Sequence, residues 1–475
     1  MILIKSIQLR PFLLLLFLLF NNNRSISSAQ NIAKTLPGYP GILPFKLETG
    51  YVGVGENEEL QLFYYFIESE RNPDKDPLVL WLTGGPGCSA FSGLVYEIGP
   101  LTFDYEAFEG SLPSFLLNPY TWTKIANIIF LDLPVGTGFS YSTTFKGYYS
   151  SDTKSAKDAY MFLQKWLLNH PKFTKNLLYI AGDSYAGKLV PMVVLEILTG
   201  NEAGLSPHMS VEGYVLGNPT MYYDRDLNFR VPYAHHMGLI SDEYYKLAKS
   251  SCHEVYINPD LKNAECILAL QLVKQCINII NTPHILEPKC KLRAPKPDGL
   301  KWDVTYLEED SIDILLPSNQ ERPWCRNDNY VLSYVWANDP TVHEALQVRN
   351  GTKEEWRRCN KSLSYDKDVT TVFQYHQVLS KKGLQALVYS GDHDLVVPHI
   401  GTLEWIKDLN LTLDDDWRPW LLNGQIAGYT MKYSYGEDLF FITFATVKGA
   451  GHTAPEYKPK ECFAMIDRWF SYYPL

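Results

Sequence analysis

An α/β fold, built as a mostly parallel central sheet with helices on both faces and an inserted helix-rich cap, is predicted by three features of the 475-residue chain. Four strand-like runs are apolar almost throughout, the pattern of strands buried on both faces. They are Leu78-Val79-Leu80-Trp81-Leu82, Tyr179-Ile180-Ala181, Leu387-Val388-Tyr389-Ser390 and Phe441-Ile442-Thr443-Phe444-Ala445-Thr446-Val447. Each runs into a loop of small residues. Six of the eight cysteines (Cys252, Cys266, Cys276, Cys290, Cys325 and Cys359) crowd between Gly217-Asn218-Pro219 and the strand-like sequence near Leu387, which marks an insertion there. The division is a leader over residues 1–29 and one domain over 30–475, with the cap at about 220–370.

The elements follow in order. Thr49-Gly50-Tyr51-Val52-Gly53-Val54 and Leu60-Gln61-Leu62-Phe63-Tyr64-Tyr65-Phe66 read as an antiparallel pair opening the sheet. Ala156, Ala159, Tyr160, Leu163, Trp166 and Leu167 recur at helical spacing, starting after Ser150-Ser151-Asp152 and stopping before Pro171. That helix feeds the strand before Ser184. Asp339-Pro340 and Pro459 mark two further helix starts, the second carrying Phe463, Ile466 and Phe470 along one face. The polar, proline-containing segment 296–323 is expected to be an exposed, cleavable loop.

The loops carry the chemistry. Gly182-Asp183-Ser184-Tyr185-Ala186-Gly187 is a strand-to-helix turn of the kind that exposes a serine hydroxyl to a base, with the next backbone N–H free to stabilise an oxyanion. Ala186 stands where the G-x-S-x-G pattern has its last glycine, a cost of one methyl. Gly391-Asp392-His393-Asp394 and Lys448-Gly449-Ala450-Gly451-His452 offer an acid and a histidine at two further strand ends. Serine, acid, histidine is the chain order in which α/β-hydrolases supply a catalytic triad. The glycines of Thr83-Gly84-Gly85-Pro86-Gly87-Cys88 let backbone N–H groups approach a tetrahedral oxyanion, and Gly85 and Tyr185 are the expected donors.

Composition excludes other classes. With 46% hydrophobic and 20% charged residues the chain can bury a large core. A net charge of −10 without a basic cluster gives no footprint for nucleic acid. The 11 histidines form neither HExxH nor any paired Cys-x-x-Cys spacing, so no metal or cofactor is expected, and His235-His236 reads as structural. Lys5 and Arg10 before the apolar run 11–20, with Ser27-Ser28-Ala29 after it, read as a secretory leader, too short to span a membrane comfortably. A secreted or vacuolar destination follows, with no stable membrane span. Sequons at Asn350, Asn360 and Asn410 are then open to glycosylation, and the cysteines to pairing in connectivities that sequence leaves open.

The same stretches, with Glu97-Ile98-Gly99-Pro100, Asn118-Pro119-Tyr120-Thr121-Trp122, Leu133-Pro134-Val135-Gly136-Thr137-Gly138-Phe139-Ser140-Tyr141 and Gly451-His452-Thr453-Ala454-Pro455, resemble the serine carboxypeptidases and their plant carboxypeptidase-like acyltransferase relatives. The resemblance spans nearly the whole mature chain. It implies that the catalytic acid is Asp394 rather than Asp392. It implies disulfides Cys88 to Cys325 and Cys252 to Cys266; Cys276 to Cys290 is offered beside them, leaving Cys359 and Cys462 free. In the family a peptidase grips its substrate's free carboxylate with asparagine at the position of Thr83 and glutamates at 97 and 183. Here only Glu97 is kept, and Thr83 with Asp183 resembles the acyltransferase branch. Ala186 and Lys188 match neither branch's usual residues. The implied activity is transfer of an acyl group from a 1-O-β-glucose ester to an alcohol or amine through acyl-Ser184, with His452 as base and Asp394 orienting it. The alternatives are a serine carboxypeptidase acting on peptides and an inactive secreted binding protein.

Overall fold

The structure is a computed structural model describing residues 31–290, 325–436 and 440–475. The expected leader, residues 1–29, and the whole of the expected cleavable loop, residues 296–323, lie outside the described residues. Six strands run parallel in the middle of the sheet, in the spatial order Asn127–Leu131, Leu78–Leu82, Leu178–Asp183, Val211–Gly217, Gln385–Gly391 and Phe440–Val447. Antiparallel strands extend both ends. Leu47–Val54 pairs with Leu60–Ile67 on one side, as the sequence predicts, and the hairpin Thr412–Leu422 with Gln425–Tyr435 continues the other.

Alternate residues of these strands serve two cores. One face carries Val79, Trp81, Tyr179, Ala181, Leu387 and Tyr389, and packs against the helix Pro459–Phe470. The other carries Leu78, Leu80, Ile180, Tyr214 and Val388, under the helices Asp152–Asn169 and Ala186–Glu202. Both faces are dry, which is why the runs read as continuously apolar. Ser151 caps the helix Asp152–Asn169 by accepting from Lys154 N at 3.2 Å, and Asp339 caps Pro340–Leu346 through Thr341 N at 2.8 Å. The last helix turns Cys462, Met465, Ile466 and Trp469 fully inward, so the expected stripe of Phe463, Ile466 and Phe470 is rotated: its two phenylalanines are only partly buried at the flank.

The insertion divides. Residues from Val231 to Val273 form a small core of their own, built around Ala234, Ala248, Cys252, Cys266 and Ala269. The helix Arg326–Ala337 instead sends Leu332 and Trp336 into the main core. His235 is structural: its Nε2 lies 2.7 Å from Asp242 Oδ1 and its ring stacks on Tyr245 at 4.2 Å.

The disulfides correct two expectations. Cys252 pairs with Cys266 as expected, but Cys88 pairs with Cys359, expected free, rather than with Cys325, and Cys290 pairs with Cys325 rather than with Cys276, so Cys276 and Cys462 are the thiols. Backbone geometry explains the first correction. Ser89 N donates to Arg358 O at 2.7 Å and Asn360 N to Gly87 O at 2.8 Å, so Cys88 and Cys359 face each other across an antiparallel bridge. Among the described residues no helix is long and apolar enough to cross a membrane.

Candidate active site

The strand Leu178–Asp183 stops at Ser184, whose φ of +56° lies in the left-handed region that costs a non-glycine residue free energy. Neighbouring backbone holds it there. Ser184 N donates to Gly217 O at 2.9 Å, while its carbonyl accepts from Gly187 N at 3.0 Å and Thr220 N at 2.9 Å. Small residues are required around it. A Cβ on Gly182 would stand 2.4 Å from Leu82 O, and one on Gly187 would stand 2.5 Å from Pro219 Cβ. Ala186 fits fully buried, so its methyl is tolerated.

Two loops bring the partners. His452 Nε2 lies 2.8 Å from Ser184 Oγ, and His452 Nδ1 lies 2.8 Å from Asp394 Oδ2. With the Nδ1 proton directed at the carboxylate, Nε2 is left to accept from the serine hydroxyl. Asp394 is fully buried and accepts from Asn218 Nδ2 at 2.9 Å, Val396 N at 2.6 Å and Val397 N at 3.2 Å. Burial works against protonating His452, but the Asp394 charge and hydrogen bond outweigh it and push the imidazole above its ordinary 6.5. Asp392 is engaged elsewhere, 2.5 Å from His393 Nδ1 and accepting from Gly449 N at 2.7 Å.

Of the expected oxyanion donors, Tyr185 follows Ser184 in the chain and Gly85 follows the Gly84 that packs on it. Among the described residues neither Gly85 N–H nor Tyr185 N–H has a protein acceptor. The loop packs hard on the elbow: a Cβ on Gly84 would stand 2.7 Å from both Ser184 Cβ and Tyr185 N. Behind Tyr185 is an arrangement that sequence reasoning missed. Asp152, at the first turn of its helix, accepts from Tyr185 Oη at 2.7 Å, Tyr365 Oη at 2.8 Å and Lys188 Nζ at 3.0 Å. Lys188 and Asp152 are both buried, their side chains 3% and 0% exposed. The unusual lysine is thus the counter-ion of a carboxylate that fixes the ring of an expected oxyanion residue. Its signal, a charged residue in an otherwise apolar helical run, was visible.

Thr83, Glu97 and Asp183 are all buried, Asp183 directly before Ser184. Asp183 Oδ1 accepts from Gly84 N at 3.3 Å, and Trp81 Nε1 donates to Thr83 Oγ1 at 3.2 Å. Burial is the main cause that raises Asp183 from 3.8 to about 6. Burial and then the Asp183 charge raise Glu97 well above the carboxylate range, and Glu97 Oε2 has no hydrogen-bond partner among the described residues. With both carboxyls raised, chiefly by burial, the pair keeps its protons to a higher pH than free carboxyls do.

The insertion supplies the remaining support. Pro283 O accepts from His452 N at 2.7 Å, Thr282 O from Leu395 N at 2.9 Å, and His393 O from Ile285 N at 3.1 Å. His284 Nε2 lies 3.2 Å from Gly449 O. One stretch of chain thus clasps the loops that carry Asp394 and His452, and nothing local in Asn281-Thr282-Pro283-His284 announces it. Among the described residues no group of three or more His, Cys, Asp or Glu could hold a metal ion.

The chain resembles proteins already known. The family model described as serine carboxypeptidase matches residues 37–472. Serine carboxypeptidase-like 2 of Arabidopsis thaliana is 47% identical over 470 residues, covering 99% of both chains. Serine carboxypeptidase-like 17 of the same plant is 46% identical over 440 residues, 93% of each. Among solved structures, a prohormone-processing carboxypeptidase of Saccharomyces cerevisiae superimposes with a TM-score of 0.68, covering 90% of this chain and 91% of its own. At 18% identity that likeness speaks for the α/β-hydrolase fold alone.

Proposed function

The chain belongs to the serine carboxypeptidase family, and within that family we propose that it is an acyltransferase using a 1-O-β-glucose ester as donor and an alcohol or amine as acceptor. Ser184 Oγ adds to the ester carbonyl while His452 Nε2 takes its proton, across the 2.8 Å hydrogen bond between them. The negative charge on the former carbonyl oxygen falls to the N–H groups of Gly85 and Tyr185. Collapse breaks the bond to the sugar oxygen, which leaves as glucose with the proton from His452, and the acyl group stays on Ser184. In the second half His452 takes the acceptor's proton, the acceptor attacks, and the proton returns to Ser184. Asp394 holds the imidazole in the required tautomer throughout.

The carboxylate-binding end of the site carries the choice between transfer and peptide hydrolysis. Where a peptidase wants an amide that donates twice, Thr83 has one hydroxyl that can donate once, its oxygen positioned by the Trp81 Nε1–H. Asp183, one methylene shorter than glutamate, is drawn to Gly84 N. A charged substrate carboxylate there would lose hydrogen bonds of about 1–3 kcal/mol each, so a peptide C-terminus is poorly served. Secretory routing with glycosylation at Asn350, Asn360 and Asn410 completes the reading.

The test offers purified enzyme a panel of glucose esters with alcohol and amine acceptors and, separately, blocked dipeptides. Product is expected only in the first set, and Ser184→Ala should remove it by several orders of magnitude without loss of folding. Thr83→Asn with Asp183→Glu should raise whatever peptide hydrolysis exists. Efficient release of C-terminal amino acids by the wild type, with no transfer from any sugar ester, would replace this reading with that of a carboxypeptidase.

A further inference from the structure

A cavity of about 660 Å³ opens beside the oxyanion loop, and none of Ser184, Asp394 or His452 lines it. Its walls include Phe145, Tyr148, Tyr149, Asn360, Ser362 and Leu363. Leu363 is shared with the oxyanion loop: its Cδ1 lies 2.6 Å from where a Cβ on Gly87 would stand. The aromatic rings face open solvent, Phe145 being 94% and Tyr149 52% exposed. Apolar rings exposed around a concave, partly polar site offer a surface on which a ring-shaped, hydroxyl-rich group can pack.

Asn360 indicates which such group. It heads the sequon Asn360-Lys361-Ser362 and is half-buried in the cavity wall, whereas Asn350 and Asn410 stand exposed. Its Oδ1 accepts from Ser362 N at 3.0 Å and Ser362 Oγ at 2.7 Å. Its Nδ2 gives one hydrogen to Gly136 O at 3.1 Å, and among the described residues the second amide hydrogen has no acceptor. Lys353 Nζ donates to the same Gly136 carbonyl at 2.8 Å, tying this wall together from a second side chain.

We propose that this cavity is the seat of a carbohydrate chain attached to Asn360, its first sugar lying across Phe145 and Tyr149. The inference rests on the secretory reading above. The donor is an oligosaccharide on a lipid pyrophosphate. Asn360 Nδ2 forms the bond to C1 of the terminal N-acetylglucosamine as the bond from C1 to pyrophosphate breaks, and the lost amide proton neutralises the leaving group. One N–H remains on Nδ2 and keeps the Gly136 hydrogen bond. The aromatic faces take the apolar face of the pyranose, and Lys146, Ser362 and Ser364 at the wall offer polar partners to its hydroxyls. Because Cys359 is bonded to Cys88, a sugar packed on the segment 360–364 also braces the oxyanion loop.

The experiment uses the full chain secreted from a eukaryotic host, with glycopeptide mass spectrometry and native treatment by a glycan-releasing amidase that converts the modified asparagine to aspartate. Asn360 is expected to be occupied, and its glycan to be released roughly tenfold or more slowly than those at Asn350 and Asn410 until the protein is denatured. In Phe145→Ala with Tyr149→Ala, two exposed substitutions, that protection should vanish while occupancy persists. Unmodified Asn360 beside occupied Asn350 or Asn410 overturns the inference and leaves the secretory reading standing. Three bare sequons overturn both. Equal release rates at all sites, or protection unchanged in the aromatic variant, remove the cavity as the seat.

Discussion

Ser184 and Tyr185 are held chiefly by regular elements: the strand that ends at Asp183, the helix that starts at Ala186, the backbone at the end of the adjacent strand Val211–Gly217, and the pair between Lys188 of that helix and Asp152 of the preceding one. Asp394 and His452 are held from far along the chain, by carbonyls of Thr282 and Pro283 in the insertion. The Ser184 half is therefore built into strand, helix and their backbone hydrogen bonds, with a buried ion pair behind the Tyr185 ring. The acid–base half depends on a docked segment, so its failure should show in the alignment of His452 rather than in the integrity of the core.

Breaking the ion pair gives the largest expected effect. Asp152→Asn leaves Lys188 charged and buried without its anion, which should cost about 3–5 kcal/mol and lower the melting temperature accordingly. Asp152→Asn combined with Lys188→Met removes both charges and should recover most of that loss. If the double variant melts no higher than the single one, the pair is not what holds the nucleophile half.

On the other side, Gly451→Ala puts a Cβ 2.3 Å from Pro283 O and 2.9 Å from His284 Cβ, against backbone that cannot swing away. Overpacking of this kind costs about 1–3 kcal/mol. The turnover per fluorophosphonate-titrated serine should fall while KM stays near the wild-type value, because His452 shifts and the substrate walls do not. Normal turnover in a folded Gly451→Ala protein would show that the insertion does not position the histidine.

Between the halves lie Glu97 and Asp183, where the smallest effect is expected. Both carboxyls are raised in the fold, Asp183 from 3.8 to about 6, chiefly by burial. The folded state thus keeps protons that the unfolded chain has released. Their stabilising contribution is complete below the unfolded values and is lost as pH rises through about 6 for Asp183 and further for Glu97. Thermal melts should accordingly fall between mildly acidic and mildly alkaline pH, and Glu97→Gln, neutral at every pH, should flatten the slope. A variant with the wild-type slope would exclude Glu97 from the linkage.

The parallel sheet, the elbow and the triad order were legible because each rests on short-range chemistry. Buried parallel strands must be apolar on both faces, as Leu78–Leu82 and Gln385–Gly391 nearly are, and a tight turn must be made of small residues, as Gly182 and Gly187 are. The family resemblance then selected Asp394 over its neighbour Asp392, which two residues of spacing alone leave open. What sequence could not assign depends on segments meeting across the fold. Cys359 reaches Cys88 because an antiparallel bridge forms 271 residues apart, so the expected partner Cys325 was displaced to Cys290. Asn218 buttresses Asp394, and Pro283 holds His452, through contacts that leave no periodicity or composition behind. Local rules fix φ, burial pattern and turn chemistry within a few residues, whereas long-range partners are set by the packing of the whole sheet, and only the tertiary structure records which distant backbone groups that packing brings together.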